Sequence, residues 1–395
     1  MKEKKFVRFV SVIVILITII IAMAMLISTP LNDDNVIKIG AILPLTGPAS
    51  YPGEQVKNGM LLAIDDINSQ GGVHGTKLKL IIEDSRTNAN DGVKAFNKLE
   101  DRDDVDVIVS MLSSVSMAVA PLAKEEKISL LGIVVSAPSF TQNEWTFRYY
   151  PTAVDEVLPI IKVLEKLNIE KLGVLYLNDD FGYSVYKTFQ DWLYKNQSKV
   201  GAKYVIGEKF NIGDSDFKTQ IIKLINEDVD AIYVVGFNSH ILNAIRQIKE
   251  LNFDGVILGP STLSLPTTLK QLDYVNNIYF TAPIIYKDEL LLSQETRDFN
   301  SKYERKYGVR SNHYAANGYD AVKYIARSIE SLDDKISRWK IRDMLESVQN
   351  HSGVFGNLKI NRKLHEIKYP LYVARSKNGK IVYMGIDNGM GIDNG

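Results

Sequence analysis

The sequence contains no cysteine, and its formal charges cancel. Without cysteine the chain can form no disulfide, no thiolate zinc site and no lipid-modified cysteine anchor, and it has no cysteine nucleophile. The 47 basic and 47 acidic residues give a formal net charge of +0, so nothing in the charge suggests nucleic acid as a partner. The composition is otherwise ordinary for a globular protein, and 395 residues predict two domains.

The sequence also lacks the motifs that mark common cofactor and hydrolytic sites. It has no GxxxxGKS/T loop, no GxGxxG after a strand, no GxSxG and no HExxH. Its five histidines are scattered, and no two of them stand at helical ligand spacing. These absences favour a protein that is not an enzyme and that has no catalytic residues, no metal site and no cofactor.

An apolar run from Phe9 to Ile27 follows a basic start. This order is typical of an export signal, and the run is also long enough to cross a bilayer as a helix. We therefore predict that residues 1–29 are a signal peptide or an uncleaved membrane anchor that forms a hydrophobic helix, and that residues 30–35 are a polar linker. The remainder is expected outside the cytoplasm, at the cell surface or in the periplasm, tethered to the membrane by this segment.

Serines follow a buried strand in the stretch from residue 105 to residue 136. VDVIVSML has the apolar, β-branched composition of a strand buried on both faces, and ISLLGIVVS repeats it. Ser113 and Ser114 lie between the first strand and a predicted helix, and Ser136 ends the second strand. In an open α/β sheet this edge binds ligands, and a helix N-terminus suits a carboxylate or a phosphate. Capping of the helix is the simpler function of these serines.

Strands alternate with helices along the rest of the chain, and the pattern restarts once. Such alternation predicts an α/β protein with two lobes of parallel sheet and a ligand cleft between them. We assign residues 36–151 and 280–349 to an N-terminal lobe, and residues 152–279 and 350–384 to a C-terminal lobe. The duplicated GIDNG in residues 385–395 predicts a flexible tail.

Several motifs occur in a characteristic order between residues 36 and 384: PLTG, a helix that ends in DINSQGG, GTKL, SSVS, FRYYPT, DDFG and VDAIYVVG. With them the sequence resembles the branched-chain amino acid (leucine/isoleucine/valine) type of periplasmic substrate-binding protein. The resemblance implies the type I periplasmic-binding fold, in which two Rossmann-like lobes are joined by three hinge strands and close on a small ligand. It also implies delivery of that ligand to an ABC permease in the membrane. We expect a monomer with no nucleic-acid partner.

The resemblance also implies ligand contacts in the N-terminal lobe. In the family, the first serine of the serine turn and a Ser or Thr beyond the next strand hold the ligand's α-carboxylate, and these positions are Ser113 and Ser136 here. The backbone groups of Ser114 and Val134 accompany them, and a carbonyl at Val134 can accept a hydrogen bond from an ammonium group.

The C-terminal lobe departs from the family pattern at three positions. Phe181 and Phe237 replace tyrosines, and Ser261 replaces the acid that binds the α-ammonium group. Because these changes remove polar partners for a positive group, they argue against ordinary branched-chain amino acids and favour an apolar or aromatic ligand body. Asp179 and Asp180 lie beside Phe181 and are candidates to replace the missing acid.

The sequence therefore predicts an extracytoplasmic solute-binding protein of an ABC uptake transporter, which binds a small amino acid or a related carboxylate or amide in the interlobe cleft. The alternative is a ligand-sensing ectodomain that signals to a separate membrane partner. A repressor of related fold would need a DNA-binding N-terminus, where this chain has an apolar segment. An extracellular enzyme is a third possibility, which a turnover assay on amides and esters would test.

Overall fold

The structure, a computed structural model, describes residues 36–196, 204–332 and 336–384. The predicted signal peptide or anchor, the linker at 30–35 and the tail at 385–395 lie outside the described residues. The described chain forms two β-sheets, and helices pack against both.

The strands are numbered in chain order. They are β1 (Val36–Leu43), β2 (Lys77–Asp84), β3 (Val107–Met111), β4 (Ser129–Ile133), β5 (Thr146–Tyr149), β6 (Lys171–Leu177), β7 (Tyr204–Phe210), β8 (Ala231–Val235), β9 (Val256–Gly259), β10 (Tyr279–Pro283), β11 (Asn350–Gly353), β12 (Gly356–Asn361), β13 (Glu366–Ile367), β14 (Leu371–Lys377) and β15 (Lys380–Tyr383).

The described α-helices are numbered in the same way. They are α1 (Ser50–Ser69), α2 (Ala89–Asn97), α3 (Ser113–Glu125), α4 (Ala153–Lys166), α5 (Asp180–Asn196), α6 (Lys218–Asn226), α7 (Asn238–Glu250), α8 (Pro266–Gln271), α9 (Gln294–Tyr307), α10 (His313–Glu330) and α11 (Arg338–Ser347).

The first lobe is built on an eight-stranded sheet of order β11-β12-β13-β5-β4-β3-β1-β2. The neighbouring strands β1, β3, β4, β5 and β13 run parallel to one another. Strands β12 and β11 extend the sheet beyond β13 and run antiparallel. All five residues of β3 are buried, as its largely apolar, β-branched composition predicts for a strand covered on both faces.

The second lobe is built on a seven-stranded sheet of order β15-β14-β10-β9-β8-β6-β7. The five neighbouring strands β7, β6, β8, β9 and β10 run parallel to one another. Strands β14 and β15 extend the sheet beyond β10 and run antiparallel. The five residues of β8 are also all buried, since helices cover both faces of a parallel sheet. The predicted α/β architecture with two lobes of mostly parallel sheet is confirmed.

The chain passes between the two sheets three times, after β5, after β10 and after β13. The second and third passages differ from the predicted boundaries, which gave residues 280–349 to the N-terminal lobe and residues 350–384 to the C-terminal lobe. Strand β10 pairs with β9 and β14 in the second sheet, and β11, β12 and β13 belong to the first. The passages therefore follow residues 283 and 367. Sheet membership depends on distant pairing partners, which the local pattern of a short strand does not specify.

Candidate functional site

A cleft between the lobes lies at the carboxyl ends of the parallel strands, where ligands bind in α/β sheets. Its space measures about 400 Å³, with the solvent-facing mouth included. The lining residues are Pro52, Met111, Leu112, Ser113, Val134, Ser136, Tyr150, Asp179, Phe181, Phe237, Thr262 and Tyr314.

Two lining residues of the first lobe have a backbone that their side chains disfavour. Leu112, between β3 and α3, has φ 76° and ψ 139°, and Val134, just after β4, has φ 55°. Positive φ is rare for residues with a side chain, and for a β-branched residue such as valine it is a true outlier. Strain of this kind persists only where the surroundings enforce it, and it concentrates at binding sites. Here it shapes the two turns that carry the serines.

Ser113 and Ser136 lie next to each other at the first-lobe wall. The Ser113 Oγ accepts hydrogen bonds from the backbone N–H of Ser136 at 3.1 Å and of Ala137 at 3.3 Å. Its own proton is left to donate. The Ser136 Oγ is buried and has no hydrogen-bond partner. A buried polar atom without a hydrogen-bond partner destabilises the fold, so a ligand atom that bonds the Ser136 Oγ would stabilise the site.

The N-terminus of α3 adds backbone donors to this wall. The helix begins at Ser113, and no side chain caps its first turn. The N–H groups of a first helical turn have no partner within the helix, so they can bind an anion. Ser114 lies on this turn and is partly exposed, but its side chain is not among the lining groups.

The second-lobe wall is largely apolar. Phe181 near the start of α5 and Phe237 just before α7 both line the cleft, and Phe237 is buried. Thr262 adds to this lining a buried Oγ1 that has no hydrogen-bond partner. The cleft thus presents one unpartnered hydroxyl on each wall.

Ser261 lies behind the cleft wall. Its N–H donates to the Glu156 Oε2 at 3.0 Å, and its hydroxyl donates to the other oxygen of the same carboxylate. Thr281 in the middle of β10 donates a third hydrogen bond to Glu156. Both donors of Ser261 are therefore occupied by the buried carboxylate on α4. Ser261 is not among the lining residues of the cleft.

Burial controls the ionisation of the groups around this network. Desolvation raises the pKa of the Glu156 carboxyl, and the hydroxyl groups of Ser261 and Thr281 offset part of that rise. Burial also raises the pKa of Tyr150, whose hydroxyl is hydrogen-bonded to Ser261 and Tyr369. Tyr150 lines the cleft, so it connects the ligand space to the buried carboxylate behind it.

Asp179 is the only carboxylate among the residues that line the cleft in the described part of the chain. It directly precedes α5, and its Oδ1 accepts the N–H of Gly182 at 2.9 Å. Removal from water raises its pKa to about 7, although the backbone N–H groups of Gly182 and Phe181 act in the opposite sense. The neighbouring Asp180 is exposed.

A profile of the periplasmic binding protein family matches residues 36–380, which is most of the sequence. The chain belongs to the periplasmic binding protein family. Membership implies an extracytoplasmic location, and the relatives named below are binding proteins. The two-sheet architecture is the type I periplasmic-binding fold.

One curated relative and two solved structures indicate the range of this periplasmic binding protein's neighbours. The leucine-, isoleucine-, valine-, threonine- and alanine-binding protein of Pseudomonas aeruginosa is 24% identical over 300 residues, which are 75% of this chain and 78% of that protein. The branched-chain amino acid transporter substrate-binding protein LivJ from Streptococcus pneumoniae, solved in complex with isoleucine, has a TM-score of 0.77 at 23% identity, covering 88% of this chain and 100% of that one. A solute-binding protein of an ABC transporter from Rhodopseudomonas palustris, solved with 3,4-dihydroxybenzoic acid, has a TM-score of 0.77 at 19% identity, covering 89% and 96%. At these identities the structures show the shared fold alone.

The structure brings five of the seven predicted site residues together in the cleft lining: Ser113, Val134, Ser136, Phe181 and Phe237. Ser114 and Ser261 are not in that lining. That any of the seven binds a ligand stays a prediction.

The sequence interpretation missed several lining residues. Tyr150 belongs to the quoted FRYYPT motif, and Thr262 directly follows Ser261, so both carried a usable signal. Pro52 and Tyr314 come from α1 and α10, far apart in sequence, and nothing local marks them.

In residues 36–196, 204–332 and 336–384, no three or more histidine and acidic side chains are grouped so that they could hold a metal ion. Across the same ranges, no helix has both the length and the apolar character required to span a bilayer.

Proposed function

We propose that this chain is the solute-binding component of an ABC uptake system, and that it captures a small amino acid or a related carboxylate or amide in the interlobe cleft. The observation that carries the proposal is the pair of buried, unpartnered hydroxyl oxygens on opposite walls, Ser136 Oγ and Thr262 Oγ1. A polar ligand that lies between the lobes would give each of them a hydrogen-bond partner.

The first-lobe wall supports an anionic end of the ligand. The free hydroxyl proton of Ser113, the unpartnered Oγ of Ser136 and the uncapped first turn of α3 are all donors, and they converge without a competing acid. The apolar second-lobe wall, with Phe181 and Phe237, favours a ligand with an apolar or aromatic body.

The fold leaves the identity of the cargo open. One structural neighbour carries isoleucine and another carries 3,4-dihydroxybenzoic acid, although both have the same TM-score to this chain. Both ligands join a carboxyl group to an apolar body, which is the combination that the two walls here accommodate.

Binding in this proposal involves no chemical step. The ligand docks on the first lobe, and the second lobe closes over it by rotation about the three connecting segments, which excludes water. The closed form is then recognised by a membrane permease. We propose that the protein acts as a monomer outside the cytoplasm and that its N-terminal segment tethers it to the membrane.

Thermal-shift screening of the purified protein tests the ligand class. The panel is the twenty L-α-amino acids, their amides and a set of aliphatic and aromatic carboxylic acids. Native mass spectrometry of the same preparation identifies any small molecule that co-purifies. Stabilisation by at least one carboxylate or amide is expected. A protein that responds to none of them, and that carries only a sugar or a metal ion, would contradict the proposal.

Cell fractionation tests the location and the tether. The protein should be digested by protease added to spheroplasts and should sediment with membranes before that digestion. Recovery in the cytosol would contradict the location, and recovery as a free periplasmic protein would contradict the tether alone.

A further inference from the structure

The two walls of the cleft differ in the charge that they accept. The first-lobe wall presents uncharged hydroxyl groups and helix N–H groups that can donate to an anion, from Ser113, Ser136 and the start of α3. The second-lobe wall presents the single carboxylate of the lining, Asp179, together with the unpartnered Oγ1 of Thr262. A ligand that spans the cleft therefore meets donors at one end and an acceptor with a potential negative charge at the other.

The surroundings of Asp179 make an unpaired charge costly. Phe181 and Phe237 are the other second-lobe lining residues besides Thr262, and no lysine, arginine or histidine of the described residues lines the cleft. The two backbone N–H groups that reach the carboxylate come from the start of its own helix. A carboxylate removed from water into an apolar wall is stabilised by a cationic partner, and no protein side chain of the lining supplies one.

We propose that Asp179 determines ligand specificity by pairing with an ammonium group of the ligand, so that the cleft selects zwitterionic α-amino acids with an apolar side chain over the corresponding plain carboxylic acids. This inference rests on the proposed function and narrows it to one ligand class. It assigns the partner of the ammonium group to the residue just before α5. The buried Glu156 and Ser261 are not involved, because that carboxylate already occupies the donors of Ser261.

Asp179 also caps α5, since its Oδ1 accepts the N–H of Gly182, and a cap alone would explain an aspartate here. The substitution Asp179→Asn separates the two roles. Asparagine caps helices about as well as aspartate, but it carries no charge. Asp180→Asn is the matched control, because it removes a neighbouring exposed charge that does not line the cleft.

Calorimetry with two probes per variant measures the effect. The first probe is whichever of the twenty L-α-amino acids binds the parent most tightly, and the second is the same molecule with hydrogen in place of the ammonium group. For leucine and phenylalanine these counterparts are 4-methylpentanoate and 3-phenylpropanoate. Asp179→Asn should weaken the amino acid about ten- to a hundredfold, leave the plain acid within about twofold, and unfold at the parent's temperature. Asp180→Asn should bind both probes as the parent does.

The pH dependence gives a second readout that a purely structural cap would not change. The pKa of Asp179 is about 7 without ligand, and an ammonium partner lowers it, so protonation competes with binding as the pH falls. Between pH 8 and pH 6 the parent's affinity for the amino acid should fall about tenfold, and Asp179→Asn should lose this dependence.

Other titratable groups lie in or behind the cleft wall. Burial raises the pKa of Tyr150 and of Tyr314, so both stay neutral below pH 8. Burial lowers the pKa of His240 behind Phe237, which favours its neutral form. Asp180 is a further neighbour, and the Asp180→Asn variant controls for it.

The outcomes separate this inference from the proposed function. If plain carboxylates bind as tightly as amino acids, or if Asp179→Asn leaves the amino acid's affinity and pH dependence unchanged, the inference is overturned while carboxylate binding stands. If no amino acid, amide or carboxylate binds the parent, both fail.

Discussion

Ser113 and Ser136 share one wall of the cleft, but their hydroxyl groups have different tasks. The Ser113 Oγ holds the turn after β4 by accepting the N–H groups of Ser136 and Ala137. The Ser136 Oγ has no partner in the protein. Removing the first hydroxyl leaves two buried N–H groups unpaired, whereas removing the second leaves nothing unpaired.

Alanine at each of the two serines should therefore affect stability differently. We expect Ser113→Ala to lower the free energy of unfolding by about 1–3 kcal/mol and to weaken ligand binding about ten- to a hundredfold. Ser136→Ala should weaken binding to a similar degree with less than about 0.5 kcal/mol lost in stability. Urea unfolding and calorimetry measure the two effects.

Ser129 provides the control for this pair, since its Oγ is also buried without a partner but lies on β4 outside the cleft lining. Ser129→Ala should bind ligand as the parent does. If both cleft variants also bind normally, the serines serve the fold alone.

Ser261→Glu is expected to damage the protein and to create no new ammonium site. A glutamate at residue 261 would bring a second carboxylate against Glu156, which is fully buried and already accepts the Ser261 N–H. Two buried carboxylates repel each other and lose hydration, so the free energy of unfolding should fall by several kcal/mol.

The double variant Glu156→Gln with Ser261→Glu tests this explanation, because it removes the repulsion. It should unfold at a higher urea concentration than Ser261→Glu alone. Equal midpoints for the two variants would show that steric overlap, and not charge, causes the damage.

The sequence predicts properties that depend on neighbouring residues better than contacts between distant ones. Ser113 and Ser136 follow strands, and the motif match places Phe181 and Phe237, so four cleft residues could be predicted from neighbouring letters alone. The hydrogen bonds between Ser261 and Glu156 could not be predicted from the sequence, because the two residues lie 105 positions apart. They meet only when α4 packs beside the turn after β9.

At the scale of elements, the packing of α1 against α10 determines the mouth of the cleft. Gly59 on α1 and Gly318 on α10 let the helices approach until a Cβ at either position would collide with a backbone carbonyl, of Ala315 or of Val56 respectively. The first turn of α1 carries Pro52, and the first turn of α10 carries Tyr314, both in the cleft lining. The close approach of the two helices thus positions two ligand-facing residues.

Gly318→Ala should separate these helices. Alanine normally stabilises a helix by about 1 kcal/mol relative to glycine, so a net loss of about 1–3 kcal/mol would reveal the collision with Val56. Ligand affinity should fall as well, because Tyr314 moves with α10. Gly213→Ala is the control, since a Cβ there meets nothing within 4 Å. A stabilised Gly318→Ala variant with unchanged affinity would refute this account.

The element pattern was the most predictable level of the structure. Buried strands such as β3 and β8 are marked by largely apolar, β-branched runs, and these were predicted correctly. The short strands β11 to β13 were assigned to the wrong lobe, because six or fewer residues of mixed polarity do not specify which sheet they join.

At the scale of the whole molecule, a line of charges runs along the third passage between the lobes. Arg148 on β5 is completely buried, and its Nη1 lies 3.1 Å from the Glu366 Oε1 on β13. Lys368, in the passage itself, lies 3.0 Å from the Asp155 Oδ2 on α4 and 3.7 Å from the Glu366 Oε2. Arg148 also donates to the carbonyl of Ala137, and the Ala137 N–H donates to the Ser113 Oγ. These contacts connect the first-lobe wall of the cleft to the charged residues that reach the second lobe.

The two ends of this line should contribute unequally to stability. Glu366→Gln leaves the buried guanidinium of Arg148 without its counter-charge and should lower the free energy of unfolding by about 3–5 kcal/mol. Lys368→Met should cost less than about 1 kcal/mol, because the Lys368 side chain is 36% exposed and its ion pairs are screened by water. Urea unfolding followed by tryptophan fluorescence measures the free energy of unfolding of both variants. If the Glu366→Gln variant is as stable as the Lys368→Met variant, the buried guanidinium of Arg148 does not need the charge of Glu366. A loss of several kcal/mol in Lys368→Met would instead show that the ion pair between the lobes, and not the buried one, holds this passage together.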